Sequence, residues 1–193
     1  MNSLIPDRKI LLACFYAMAA IQLAVPVVMI ARHEIVLDSG TVYKFRTAPV
    51  DPYDAFRGKY VALRFESTEA PCDSPSSLRH GQRVYATVKV NPDGFAGFSN
   101  VADTPPSEGD YIGVEFGSAQ GKGTCIFRLP FDRFYLEEGM APEAERLYNE
   151  HSRGTRDAWA MVRVKSGKAV IEDLYVGGKP VKDLIREIRT SGK

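Results

Sequence analysis

Between Ile10 and Ala31 the chain runs ILLACFYAMAAIQLAVPVVMIA, 22 residues without a charge, and no other feature limits its folding as strongly. As a helix rising about 1.5 Å per residue, the run reaches about 33 Å, enough to cross the roughly 30 Å hydrocarbon layer of a bilayer. Only Gln22 is strongly polar, and Gln22 and Pro26 are both tolerable in a membrane helix that packs on a neighbour. The competing reading is a cleaved secretory signal, because Arg8 and Lys9 form a short basic region and Ala17-Met18-Ala19 has small residues at cleavage spacing. A signal core spans about 7–15 residues. This run continues past the possible cut, so the segment reads as a retained anchor.

The charges flanking the run give an orientation. Arg8 and Lys9 precede it directly, whereas only Arg32 lies between it and Lys44. By the positive-inside bias, residues 1–9 stay cytoplasmic, 10–31 cross the membrane, and 33–193 form an extracytoplasmic domain. In a bacterium this is a single-pass protein of the inner (cytoplasmic) membrane with a periplasmic carboxy-terminal domain. Removing Arg8, Lys9 and Arg32 from the 25 basic residues, and Asp7 from the 24 acidic ones, leaves 22 against 23 in the soluble part. Such near-neutrality, without a basic cluster, argues against a nucleic-acid partner.

Beyond the anchor the apolar residues alternate, the mark of half-buried strands. Tyr43 and Phe45 oppose Lys44 and Arg46; Val61, Leu63 and Phe65 oppose Tyr60, Arg64 and Glu66; Val84, Ala86, Val88 and Val90 oppose Arg83, Tyr85, Thr87 and Lys89. Asn91-Pro92-Asp93-Gly94 predicts a turn into a strand over 95–102. A second hairpin is expected on either side of a Gly117–Gly123 loop, and a third joins 158–164 to 168–176 across Lys165-Ser166-Gly167. Pro71–Ser77 and Asp103–Glu108 read as exposed loops. Helical signal is confined to Pro142–Ser152 and to the i, i+3, i+4, i+7 set Val181, Leu184, Ile185, Ile188. The predicted fold is mainly β within an α+β plan: one transmembrane helix, then a compact antiparallel β-rich domain with short helices.

Cys14 falls inside the apolar run and reads as a small packing residue. Cys72 and Cys125 either form one disulfide, in an oxidising compartment, or remain two buried thiols.

The most unusual stretch is PVDPYDAFRGKYVALRF, Pro49 to Phe65. It resembles the bacterial membrane-anchored family named for the motif Gly-Asp-Tyr-x-x-Leu-x-Tyr, in which a Pro-x-Asp-Pro-x-Asp-x-x-Arg-Gly lead-in commonly precedes the motif. Pro49, Asp51, Pro52, Asp54, Arg57, Gly58, Tyr60 and Leu63 match; Lys59 replaces the motif aspartate and Phe65 the final tyrosine. The layout is similar too, as are Arg133–Gly139 and the Val162–Val164 strand leading to Leu174-Tyr175-Val176. The resemblance implies an association with multi-pass membrane proteins often encoded nearby, and no reaction. Any role needing an acid at 59 is lost.

Physically, the segment admits two readings. In the first, Asp51 before Pro52 makes a turn, Asp54 caps a short helical turn with Arg57 within ion-pair reach, and Gly58 ends it. In the second, Asp51, Asp54, Arg57, Gly58, Tyr60 and Leu63, with Tyr135 and Glu138 from the later stretch, form a surface that binds a partner. No metal or cofactor is expected: the acids lack calcium-loop spacing, and His33, His80 and His151 are scattered single residues on loops. Gly121-Lys122-Gly123 precedes a strand and reads as a hairpin tip. Glu137 and Glu138, adjacent on a strand, would face opposite sides.

A signal-peptidase-like layout also places an anchor, a turn and a Gly-led strand in this order. That chemistry needs a serine nucleophile where Val50 stands, which leaves at most an inactive relative. The leading expectation is therefore a non-enzymatic tethered domain that binds a multi-pass membrane protein. The alternative is a hydrolase or ligand-binding domain whose site is assembled from distant residues.

Overall fold

The computed structural model describes residues 8–50, 60–72, 77–121, 123–137 and 139–191. A single helix, α1 (Arg8–Ser39), contains the apolar run and continues eight residues beyond it. Its most apolar window is wholly unburied by the rest of the chain, and no charge interrupts it. At about 1.5 Å per residue, the extension past Ala31 rises about 12 Å, which sets the domain close to any bilayer that holds the run.

The strands that follow are all antiparallel within three sheets. In the first, β1 (Thr41–Ala48) lies between β10 (Trp159–Lys165) and the short β3 (Arg64–Phe65), and β11 (Lys168–Val176) and β12 (Lys179–Pro180) extend the β10 side. The β10–β11 turn is the expected one: Ser166 and Gly167 both have positive φ, 48° and 78°, the geometry whose twist matches that of the flanking strands. In the second sheet, β4 (Glu69–Pro71), β8 (Thr124–Arg128), β7 (Tyr111–Gln120), β5 (Arg83–Val90) and β6 (Ala96–Ala102) lie side by side in that order. A bridge between Cys72 and Val101 brings its two edges together, so the sheet curls back on itself. The third sheet pairs β2 (Tyr60–Ala62) with β9 (Arg133–Tyr135).

The Asn91–Gly94 turn forms as its chemistry requires, with Gly94 at φ 79° and its amide donating to the Asn91 carbonyl at 2.9 Å. Two strand expectations are corrected. The alternating run 60–65 is not one strand: at Leu63 the amide donates to the Asp132 carbonyl at 2.8 Å, and the chain leaves β9 to pair with β1. Val61, Leu63 and Phe65 all stay buried across the break, so periodicity alone could not reveal it. The Gly117–Gly123 loop is also shorter than expected. β7 continues to Gln120 through a bulge at Gly117, whose missing Cβ would stand 3.2 Å from the Ile126 carbonyl oxygen. Val90, at the hairpin end, is exposed rather than inward.

One core joins the sheets. Phe45 is fully buried at its centre, with the rings of Phe65, Phe98 and Phe131 at 6.1, 5.8 and 5.8 Å, mostly edge to face as ring quadrupoles favour. Two helices close the domain. Against β1, α2 (Ala141–Arg153) buries Tyr148, whose hydroxyl donates to the Ala48 carbonyl at 2.9 Å. Val181 and Ile185 are the buried positions of α3 (Val181–Ser191), as its spacing predicts, while Ile188 remains partly exposed. Cys72 and Cys125 form a disulfide between the end of β4 and β8, with Cα atoms 5.9 Å apart. Cys14 is free, on the exposed surface of α1.

The join between α1 and the domain is tight. Val36 is buried, the Gly40 amide donates to its carbonyl at 2.9 Å, and Lys165 Nζ donates to Ser39 Oγ at 2.5 Å. Arg163 reaches the Gly40 carbonyl at 3.4 Å while forking onto Glu172 at 2.7 and 3.1 Å. A Cβ at Gly40 would lie 2.5 Å from the Val36 carbonyl oxygen, so this turn admits only glycine without movement.

Candidate functional site

Of the sequence-derived binding residues, Tyr60, Leu63 and Tyr135 fall among the described residues; Asp51, Asp54, Arg57, Gly58 and Glu138 lie outside them. β2 and β9 bring Tyr60 and Tyr135 directly opposite each other, with ring centroids 5.6 Å apart. Tyr135 is 64% exposed. Arg133 lies with its guanidinium 5.0 Å from the Tyr60 ring and 3.4 Å from Asp132. Hydrogen bonding with Tyr135, then the fields of Tyr60 and Asp132, raise the Arg133 pKa. The pair of tyrosines therefore forms a small amphipathic platform with a cation on one side. Leu63, by contrast, is buried in the core, and its role is packing.

Beside the platform is a hollow of about 220 Å³ lined by Val50, Tyr60, Arg64, Asp132 and Arg133. Both flanks of the 51–59 segment, Val50 and Tyr60, are on its wall. Val50 is held there by its carbonyl, which accepts from Arg153 Nη2 at 2.5 Å. Glu137 follows β9 rather than lying in it, so the alternating-face expectation for the Glu137–Glu138 pair does not apply.

Two larger hollows lie where α1 meets the sheets. One, of about 350 Å³, is lined by Met29, Arg32 and His33 from α1, by Arg83 of β5 and by Lys168 of β11. The other, of about 450 Å³, shares His33 and Val170 with it and reaches Arg133, Tyr135 and Lys182. A continuous trough thus leads from the foot of α1 to the tyrosine platform. The sequence offers no local signal for it, because Arg83 and Lys168 each look like one polar residue on an alternating strand.

Two of the three histidines differ from expectation in placement, while His80 meets it. His33 and His151 are on helices, and His80 lies in a turn, with Nδ1 2.6 Å from the Gly117 carbonyl. His151 Nδ1 lies 2.7 Å from Asp157 Oδ1, which also accepts from Thr155 Oγ1 at 2.5 Å. Burial raises the Asp157 pKa, but the hydrogen bonds from Thr155 and His151 outweigh it and leave the carboxyl below its ordinary value. The cluster ties the end of α2 to the segment that leads into β10. Among the described residues, no three His, Cys, Asp or Glu side chains converge as metal ligands would.

A family model described as GDYXXLXY protein matches residues 22–174, from the middle of α1 to Leu174, two residues before the end of β11. No curated protein and no solved structure matches the chain.

Proposed function

The chain belongs to the GDYXXLXY protein family, and on that premise we propose that it is a single-pass, inner-membrane-tethered extracytoplasmic domain that binds a multi-pass membrane protein. The observation that carries this reading is the junction at Ser39–Gly40. An apolar helix whose most apolar window is not buried by any of the described residues is fastened at its foot to a folded domain by Val36, Lys165 and Arg163. A flexible linker would let the domain wander; a fastened one holds a defined face at a defined height. Tethering raises the effective concentration of that face toward neighbours in the same membrane, so modest contacts suffice. The Tyr60–Tyr135 platform supplies a suitable face, since exposed tyrosines give large contact area at low entropic cost.

The test is site-specific photocrosslinking in intact membranes from position 135 and, as a control, from Lys89 on the exposed end of β5. Crosslinking from 135 to a multi-pass protein, lost when Tyr60→Ala is combined, supports the reading. A full-length chain that yields no adduct at 135, or equal adducts at both positions, overturns it. A thermal melt of the Tyr60→Ala chain shows whether it is folded, so that a loss of adduct at 135 in the folded variant is a loss of recognition.

A further inference from the structure

We propose that the hollow between the foot of α1 and the β-domain binds the phosphate headgroup of an anionic phospholipid in the leaflet that faces the domain. A lipid at this position rests on the reading of α1 as a membrane span. Met29 belongs to the uncharged run, and Arg32, nearly one helical turn later, is the first charge after it; both line the hollow. One wall therefore passes from hydrocarbon depth to the level of water within about 5 Å of rise, which is the depth of lipid phosphates.

The opposite wall brings Arg83 and Lys168 to Arg32 and His33, and no acidic side chain lines the space. Among the described residues, Arg32, Arg83 and Lys168 have no carboxylate partner. Glu115, which faces Arg83 across β5 and β7, pairs instead with Arg128 at 3.8 Å. Like charges gathered at a low-dielectric boundary repel, and an anion among them relieves that repulsion. Gly113 helps to position one of them: a Cβ there would stand 2.9 Å from Arg83 Nη2, so the bare backbone gives the guanidinium room to lie against the sheet. A guanidinium so held can fork onto two phosphate oxygens. The remaining lining is apolar, with Val36, Pro130 and Val170 beside Met29, and Met29 is two-thirds exposed. An acyl chain leaving the phosphate would run down that side of α1.

The test uses the full chain in mild detergent, titrated with dioleoylphosphatidylglycerol and read by native mass spectrometry, with dioleoylphosphatidylcholine and inorganic phosphate as parallel probes. Near an anionic headgroup each basic residue is worth about fivefold in affinity, so Arg83→Gln and Lys168→Gln should each weaken phosphatidylglycerol binding about fivefold, and together about 25-fold. Arg83→Lys should retain most of it, and Lys89→Gln, the same charge change elsewhere, should retain all. Trp159 fluorescence melts confirm that each variant is folded; should Arg83→Gln fail, Lys168→Gln and Arg83→Lys decide the matter. Unchanged binding in the folded variants, equal loss in Lys89→Gln, or phosphatidylcholine or inorganic phosphate binding as well as phosphatidylglycerol would overturn the site. The two readings fail differently. A chain that stays soluble without detergent and never enters nanodiscs refutes the span, whereas one that enters them without preferring phosphatidylglycerol refutes the lipid site alone.

Discussion

Replacing Cys72 and Cys125 together by alanine should lower the stability of the β-domain by about 4 kcal/mol. The two are 53 residues apart in sequence, and the loop-entropy relation gives about 14 cal/mol/K for a loop of that length, hence about 4 kcal/mol at 25 °C. The loop it closes contains β5, β6 and β7, three of the five strands of the curled sheet. Its β4 end is otherwise held by a three-residue ladder, by the Cys72 amide donating to the Gly123 carbonyl at 2.8 Å and by the bridge to Val101. Both cysteines are buried, so the alanines lose packing in the same direction. For a domain of this size about 2–4 °C of melting temperature accompanies each kcal/mol, a fall of roughly 8–16 °C. The assay is a thermal melt of the full chain in mild detergent followed by Trp159, the single tryptophan, which stacks on Tyr175 at 4.0 Å and so reports on the domain rather than on α1. Wild-type protein melted with a reductant should fall most of the way to the double variant, short of it by the packing the alanines lose. A double variant within 2 °C of wild type, or a reductant that leaves the wild-type melt unchanged, refutes the entropic reasoning. Alkylation of cells lysed directly into a denaturing detergent checks the premise: one modified cysteine, Cys14, is expected without reductant and three with it.

The remaining predictions concern the junction of α1 with the domain, the core and the α2 terminus. Gly40→Ala should cost about 1–3 kcal/mol, because its Cβ would meet the Val36 backbone oxygen rather than a movable side chain; a melt equal to wild type refutes it. Phe45→Ala should cost about 3–5 kcal/mol by urea denaturation, since Phe45 is fully buried among three other rings. Asp157 has a folded pKa below its ordinary 3.8, so its stabilisation is complete above that value and is lost as pH falls through the folded pKa. The melting-temperature gap between wild type and Asp157→Asn should be open at pH 5 and close below about pH 3.8; a gap unchanged at pH 3 contradicts the assignment. Its side chain is 41% exposed, so screening keeps the gap under about 1 kcal/mol.

Much of the architecture is legible from neighbouring residues. The uncharged run, the Asn91–Gly94 and Ser166-Gly167 turns, the alternation of Val84, Ala86 and Val88, and the spacing of Val181 and Ile185 all depend on side chains a few positions apart. The break at Leu63 was not legible, because Val61 and Phe65 keep one inward face whether their strand is whole or divided. Only a pairing partner, Asp132, distant in sequence, divides it. The candidate platform was half legible: Tyr60 carries a motif position, but Tyr135 gains its meaning from the β2–β9 register.

By itself the sequence determined which part of this protein is long and apolar enough to cross a membrane, which parts alternate as strands, and where the chain reverses, since hydrophobic transfer, pleat periodicity and turn stereochemistry act over one to a few residues. Tertiary structure alone decided that Arg32, Arg83 and Lys168 share one hollow, that Cys72 lies within bonding reach of Cys125, and that His151 meets Asp157. Those meetings follow from strand register and from the helix-to-sheet junction, and register is a property of the whole core, in which many long-range contacts are satisfied together.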